Sequence, residues 1–162
     1  MTLLTNASRP DDAAHQRGHG PMTLLLVIQT AATLVMCGIA WFVQVVHYPL
    51  FARVGAEGYT AYQGEHLRRT TFVVFPPMII ELTCAAALIV WHPTSVPVAA
   101  AWLGLALVVA LWASTGLLQV PAHRQLEQGF QVAAHRRLVS SSWLRTALWT
   151  ARGVLVLWML TA

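Results

Sequence analysis

Residues 22–49 read MTLLLVIQTAATLVMCGIAWFVQVVHYP, an apolar run without Asp, Glu, Lys or Arg that stops at Pro49. A hydrocarbon core ~30 Å thick is crossed by roughly 20 apolar helical residues, so this run reads as a transmembrane helix over residues 22–48. Pro49 is placed to end it, because the residue before a proline is pushed out of the α region. Three further apolar runs follow, over about 71–91, 96–120 and 141–160, with Glu81 inside the first of them and Arg145 and Arg152 inside the last. The fold class expected is therefore all-α, a four-helix transmembrane bundle forming a single domain over residues 22–162.

Composition supports this. Hydrophobic residues make up 57% of the 162 and charged residues 10%, against about a quarter charged in soluble domains. Residues 1–21 are polar, with no periodic apolar face to bury, and read as a disordered tail. Within the chain, Met22-Thr23-Leu24-Leu25 repeats Met1-Thr2-Leu3-Leu4 and marks a second candidate start. Cys37 and Cys84 fall singly inside apolar spans and give neither a disulfide framework nor a CxxC site.

Between the first two spans, residues 56–70 place Tyr59, Tyr62, His66 and Arg69 at helical spacing and read as an amphipathic helix at the cytoplasmic surface. Pro76-Pro77 predicts a kink in the second span. Pro121 is placed to close the third span as Pro49 closes the first. The turn Trp91-His92-Pro93-Thr94-Ser95 permits only an antiparallel return.

All ten basic residues are Arg, and seven of them (Arg53, Arg68, Arg69, Arg124, Arg136, Arg137 and Arg145) fall in or beside the two polar loops on one side. The positive-inside rule then makes those loops cytoplasmic and puts both termini outside, in a multi-pass protein of the cell's inner (plasma) membrane. Arginines that flank apolar spans form no basic stripe, so membrane lipid, and not nucleic acid, is the expected partner.

Two constellations are candidates for chemistry. Glu81 and Arg152 each lie ~16 Å into their spans from the cytoplasmic side, near the bilayer centre, where charges are costly and pair. Their pairing reads either as a device for helix register or as a proton or substrate anchor. Arg145, Trp149 and Arg152 recur at spacings of four and three, a stripe able to hold an anionic or enolate oxygen. The second constellation is a cytoplasmic rim: Gln44, His47 and Tyr48, then Glu65, His66 and Arg69, then Gln119 and His123, with His135 beyond.

Neutral imidazoles at such a rim serve as acid–base groups, as ligands to copper, iron or zinc, as a haem pair, or simply as polar caps. The catalytic candidates are thus His47, His66, His123, Arg145, Arg152 and Glu81, and the metal candidates His47, His66, His123 and His135. No HxxxH, HExxH or Glu-x-x-His repeat narrows the choice. His15, His19 and His92 lie apart and receive no role.

The segments Gln44-Val45-Val46-His47-Tyr48-Pro49, Gln119-Val120-Pro121-Ala122-His123-Arg124-Gln125-Leu126 and Trp143-Leu144-Arg145-Thr146-Ala147-Leu148-Trp149-Thr150-Ala151-Arg152 resemble the anthrone-oxygenase-like group of four-span bacterial integral membrane proteins. The chain departs from that group at Ala122-His123, where Asn is expected after the proline. The resemblance implies oxidation of a hydrophobic, aromatic small molecule at the membrane, with His and Arg acting on an enolisable group. A lipophilic small-molecule substrate and an oxidoreductase activity are its expectations. A non-enzymatic membrane subunit or small carrier, and a haem- or quinone-binding electron-transfer subunit, are the alternatives that the residues leave open.

Overall fold

The structure, a computed structural model, describes residues 10–162, with side chains from Gly20 onward. Its elements are α1 (Pro10–Phe42), a π-helical turn (Val43–His47), α2 (Tyr48–Leu50), a 3-10 turn (Phe51–Arg53), α3 (Tyr59–Val90), α4 (Val98–Ser114), a second π-helical turn (Thr115–Gln119), α5 (Val120–Leu126) and α6 (Val132–Thr161). Among the described residues there is no strand, as the apolar periodicity predicts. Three stretches, Gly20–Arg53, Tyr59–Val90 and Val98–Leu126, are long and apolar enough to cross a membrane. Helix α6 has 30 residues, but Arg145 and Arg152 interrupt its apolar half and it is not one of those three.

The segment boundaries differ from the sequence reading in physically informative ways. Residues 1–9 of the expected tail lie outside the described residues, and from Pro10 the backbone is helical. No separate amphipathic helix forms over residues 56–70: α3 begins at Tyr59 and continues unbroken through Pro76 and Pro77 to Val90. Nothing between His66 and Phe72 interrupts it, since that stretch holds neither Gly nor Pro.

Pro49 and Pro121 do not close their helices either. Each is preceded by a π turn that ends two residues before it, at His47 and at Gln119. In a regular α-helix a proline ring strikes the carbonyl four residues back, here that of Val45 or Leu117. Both residues lie inside the widened turns, where i→i+5 bonding relaxes that clash and lets the helical course continue.

Polarity is arranged inside out. Phe72, Val90 and Leu117 are 82%, 73% and 72% exposed, while Gln29, Thr33, Gln63, Glu81 and Arg152 are buried. That is the arrangement suited to lipid as solvent, where polar side chains are satisfied between helices. The buried apolar residues fall into three clusters, one around Leu88 and Met159, one around Met78 and Trp149, and one around Tyr48, Phe51 and Tyr59.

One polar latch ties the four long helices together. Glu81 of α3 accepts hydrogen bonds from Thr33 Oγ1 of α1 at 2.6 Å, and from Trp149 Nε1 at 3.0 Å and Arg152 Nε at 3.1 Å on α6. Arg152 also donates to the Gly104 carbonyl of α4 at 2.6 Å and to Gln29 Oε1 of α1 at 3.2 Å. Charges removed from solvent are retained only when so thoroughly partnered.

Candidate functional site

The end of the bundle that carries the two π turns gathers the rim residues around Phe51, which is fully buried. The first π turn presents Gln44 and His47, and α2 presents Tyr48. Helix α3 contributes a face made by Tyr59, Gln63 and His66, all buried, followed by Thr70 one turn on. Helix α5 adds His123, and α6 adds His135.

His66 is the junction. Its Nδ1 lies 2.9 Å from His47 Nε2 and 3.1 Å from the Thr70 hydroxyl, while its Nε2 is buried with no hydrogen-bond partner. One of the two imidazoles must donate across the 2.9 Å contact. When His66 donates from Nδ1, its Nε2 carries a lone pair; when His47 donates from Nε2, His66 holds its own proton on Nε2. When His66 Nε2 takes up a proton as the Nδ1 proton passes to His47, the free Nε2 changes from base to acid, and His47 carries the added proton as an imidazolium.

His123 is held differently. Gln63 Nε2 lies 2.9 Å from its Nδ1 and Tyr48 Oη lies 3.1 Å from its Nε2. With the amide donating to Nδ1, the ring carries its proton on Nε2 and donates it to the Tyr48 oxygen, so both nitrogens are committed. The His123 ring sits 5.6 Å from that of His66, centroid to centroid, and forms its back wall. His135 is further removed in role: its Nε2 donates to the Tyr48 backbone carbonyl at 2.7 Å and secures the turn after the π helix.

A groove of about 570 Å³ opens between α1 and α3 beside this cluster. Its apolar walls are Ile39, Phe42, Val43, Val73 and Val74; His47, His66, Tyr62 and Thr70 supply the polar end, and Glu65 and Arg69 stand at the rim. Glu65 is bonded to Arg68 and Arg69 on the exposed side of α3. The volume lies within the range of small-molecule sites, roughly 300–1,000 Å³. The lining is that of a site for a lipophile with one polar end.

No shared metal site is seen at His47, His66, His123 and His135, the residues expected to hold one. Among the described residues no group of three or more His, Cys, Asp or Glu side chains is placed to hold a metal ion. His47 Nε2 and His66 Nδ1 meet each other, both nitrogens of His123 and the Nε2 of His135 meet hydrogen-bond partners, and the free Nε2 of His66 is a single donor atom, whereas copper, iron or zinc requires several lone pairs aimed at one point. A haem held by two imidazoles needs them opposed across its plane. His47 and His66 are instead in direct contact, and both nitrogens of His123 are engaged.

Of the remaining sequence candidates, Glu81 and Arg152 form the latch and lie apart from the groove lining. Arg145 projects between the latch and the histidine cluster, with its guanidinium carbon 5.5 Å from the Trp149 ring centroid. Sequence reading missed Gln63 and Thr70, although the spacing 59–63–66–70 was the signal that both share the His66 face. No protein-family model, curated protein or solved structure matches the chain.

Proposed function

We propose that the chain is a four-span protein of the inner membrane that admits a lipophilic, enolisable small molecule into the α1–α3 groove and moves a proton on it through His66 and His47. The observation that carries this reading is the free, buried Nε2 of His66 beside an apolar groove, backed by a second imidazole at 2.9 Å. Removing a proton next to a carbonyl yields an enolate, the electron-rich form that dioxygen or a quinone oxidises. The activity is thus of the oxidoreductase class that the anthrone-oxygenase-like resemblance implies, with His123 positioning His66 and supplying no lone pair of its own.

Support for a fourth span comes from α6. Its 30 residues are long enough to cross, and its two interior arginines are withdrawn to different degrees: Arg152 is buried in the latch and Arg145 is half-buried. A membrane helix bearing charges toward its neighbours scores poorly on hydropathy yet inserts within a bundle. Four crossings, with the arginine-rich ends of α3, α5 and α6 in the cytoplasm, place both termini outside.

The competing reading is a non-enzymatic membrane subunit. It is favoured by the full saturation of Glu81, Arg152 and His123, which is what purely structural polar groups look like. Solvent-deuterium exchange at the enolisable carbon of a lipophilic ketone such as anthrone separates the two. Purified protein accelerates exchange over protein-free micelles if it is the enzyme, and leaves it unchanged if it is the subunit.

A further inference from the structure

We infer that Arg145 binds the anionic oxygen of a lipophilic organic acid, a carboxylate or phenolate whose apolar body lies in the α1–α3 groove. The inference rests on that groove being a ligand site and does not depend on proton transfer within it.

The two arginines of the α6 stripe are not equivalent. Arg152 donates from Nε and both terminal nitrogens to protein acceptors. Arg145 makes no ion pair among the described residues, and its Nε is buried without an acceptor. Glu81, the buried carboxylate, is already engaged by Arg152. A guanidinium directed into a bundle is costly unless an anion meets it, and its planar fork of donors suits a carboxylate.

The space for that anion is present. Arg145 lines a small, largely enclosed cavity of about 50 Å³ together with Tyr48, Thr115 and Trp149. At ~10–15 Å³ per water-sized probe this admits a few heavy atoms, enough for a carboxylate or a phenolate oxygen with a water and too little for a ring. The cavity and the groove share Ile39, Val43, Thr70 and Val74 as a common wall. A ligand whose body fills the groove therefore needs only to carry its charged end past Val43 and Thr70 to reach Arg145. The phosphate of a phospholipid headgroup has the same oxygen chemistry, but its bulk exceeds the cavity.

The test uses the full chain in phosphatidylcholine nanodiscs, with binding read from quenching of tryptophan fluorescence, to which Trp149 beside the site contributes. The probes are 9-anthracenecarboxylate and its uncharged counterpart 9-anthracenemethanol. The acid is expected to bind about tenfold tighter or better, the scale of one charge-assisted contact. Arg145→Gln removes that preference while the alcohol binds as before, which shows that the variant is folded, and Arg145→Lys keeps part of it. Equal affinity for acid and alcohol in the unaltered protein overturns the inference, as does an Arg145→Gln change that weakens both alike. Adding phosphatidylglycerol leaves the preference in place; its disappearance when phosphatidylglycerol is added assigns the site to a lipid phosphate and also overturns the inference. None of these readings requires that anthrone exchange be accelerated.

Discussion

Glu81 and Arg152 meet at 3.1 Å with side-chain exposures of 2% and 0%, on helices that start far apart in sequence. Removing one partner of a buried pair leaves the other charged and unmatched, at about 3–5 kcal/mol, whereas replacing both together is often close to neutral. Glu81→Gln and Arg152→Gln are each expected to lower the melting temperature in detergent more than the double change does. Additive losses would show that the two side chains act independently.

His123 depends on Gln63 for its Nδ1 partner inside the bundle. Gln63→Leu keeps the packing volume but strands a buried acceptor, for a predicted loss of about 1–3 kcal/mol. Gln131→Leu, at an exposed position, serves as the control and should stay within about 0.5 kcal/mol of the parent. Thermal or denaturant unfolding in detergent compares them, and equal effects would mean that the Gln63 bond adds nothing.

The proposed four crossings predict a definite pattern of accessibility. In a background with Cys37 and Cys84 replaced by Ala, single cysteines at Ala56 and Gln128 should resist a membrane-impermeant thiol reagent in intact cells, and one at Ala162 should react. Protection of Ala162 along with Gln128 would mean that α6 does not cross. Labelling at Ala56 would reverse the orientation.

The helices and the latch were legible in the sequence because each rests on a strong local signal: long apolar runs for the helices, matched depth for Glu81 and Arg152. The helix ends were not. Pro49 and Pro121 read as stops under the rules of the α-helix, and only the π turns at Val43–His47 and Thr115–Gln119 carry the chain past them. Those turns set which way Gln44, His47 and Gln119 face, so convergence of the histidines was readable while their hydrogen-bond partners were not. Whether three imidazoles share a metal or bond to one another is decided by ring orientation, which spacing does not encode. Arg145 and Arg152 looked alike for the same reason, and only their partners distinguish them.

The most direct test of the account is the rate of solvent-deuterium incorporation at the anthrone methylene by the purified protein and by three variants: His66→Gln, His47→Gln and the double change. General acid–base catalysis contributes about 10²–10⁴-fold, so His66→Gln is expected to return the rate to that of protein-free micelles. His47→Gln should lower it substantially, and the double change should be no worse than His66→Gln alone, because groups that act as a unit are not additive. A rate in His66→Gln equal to that of the unaltered protein would contradict proton transfer at His66.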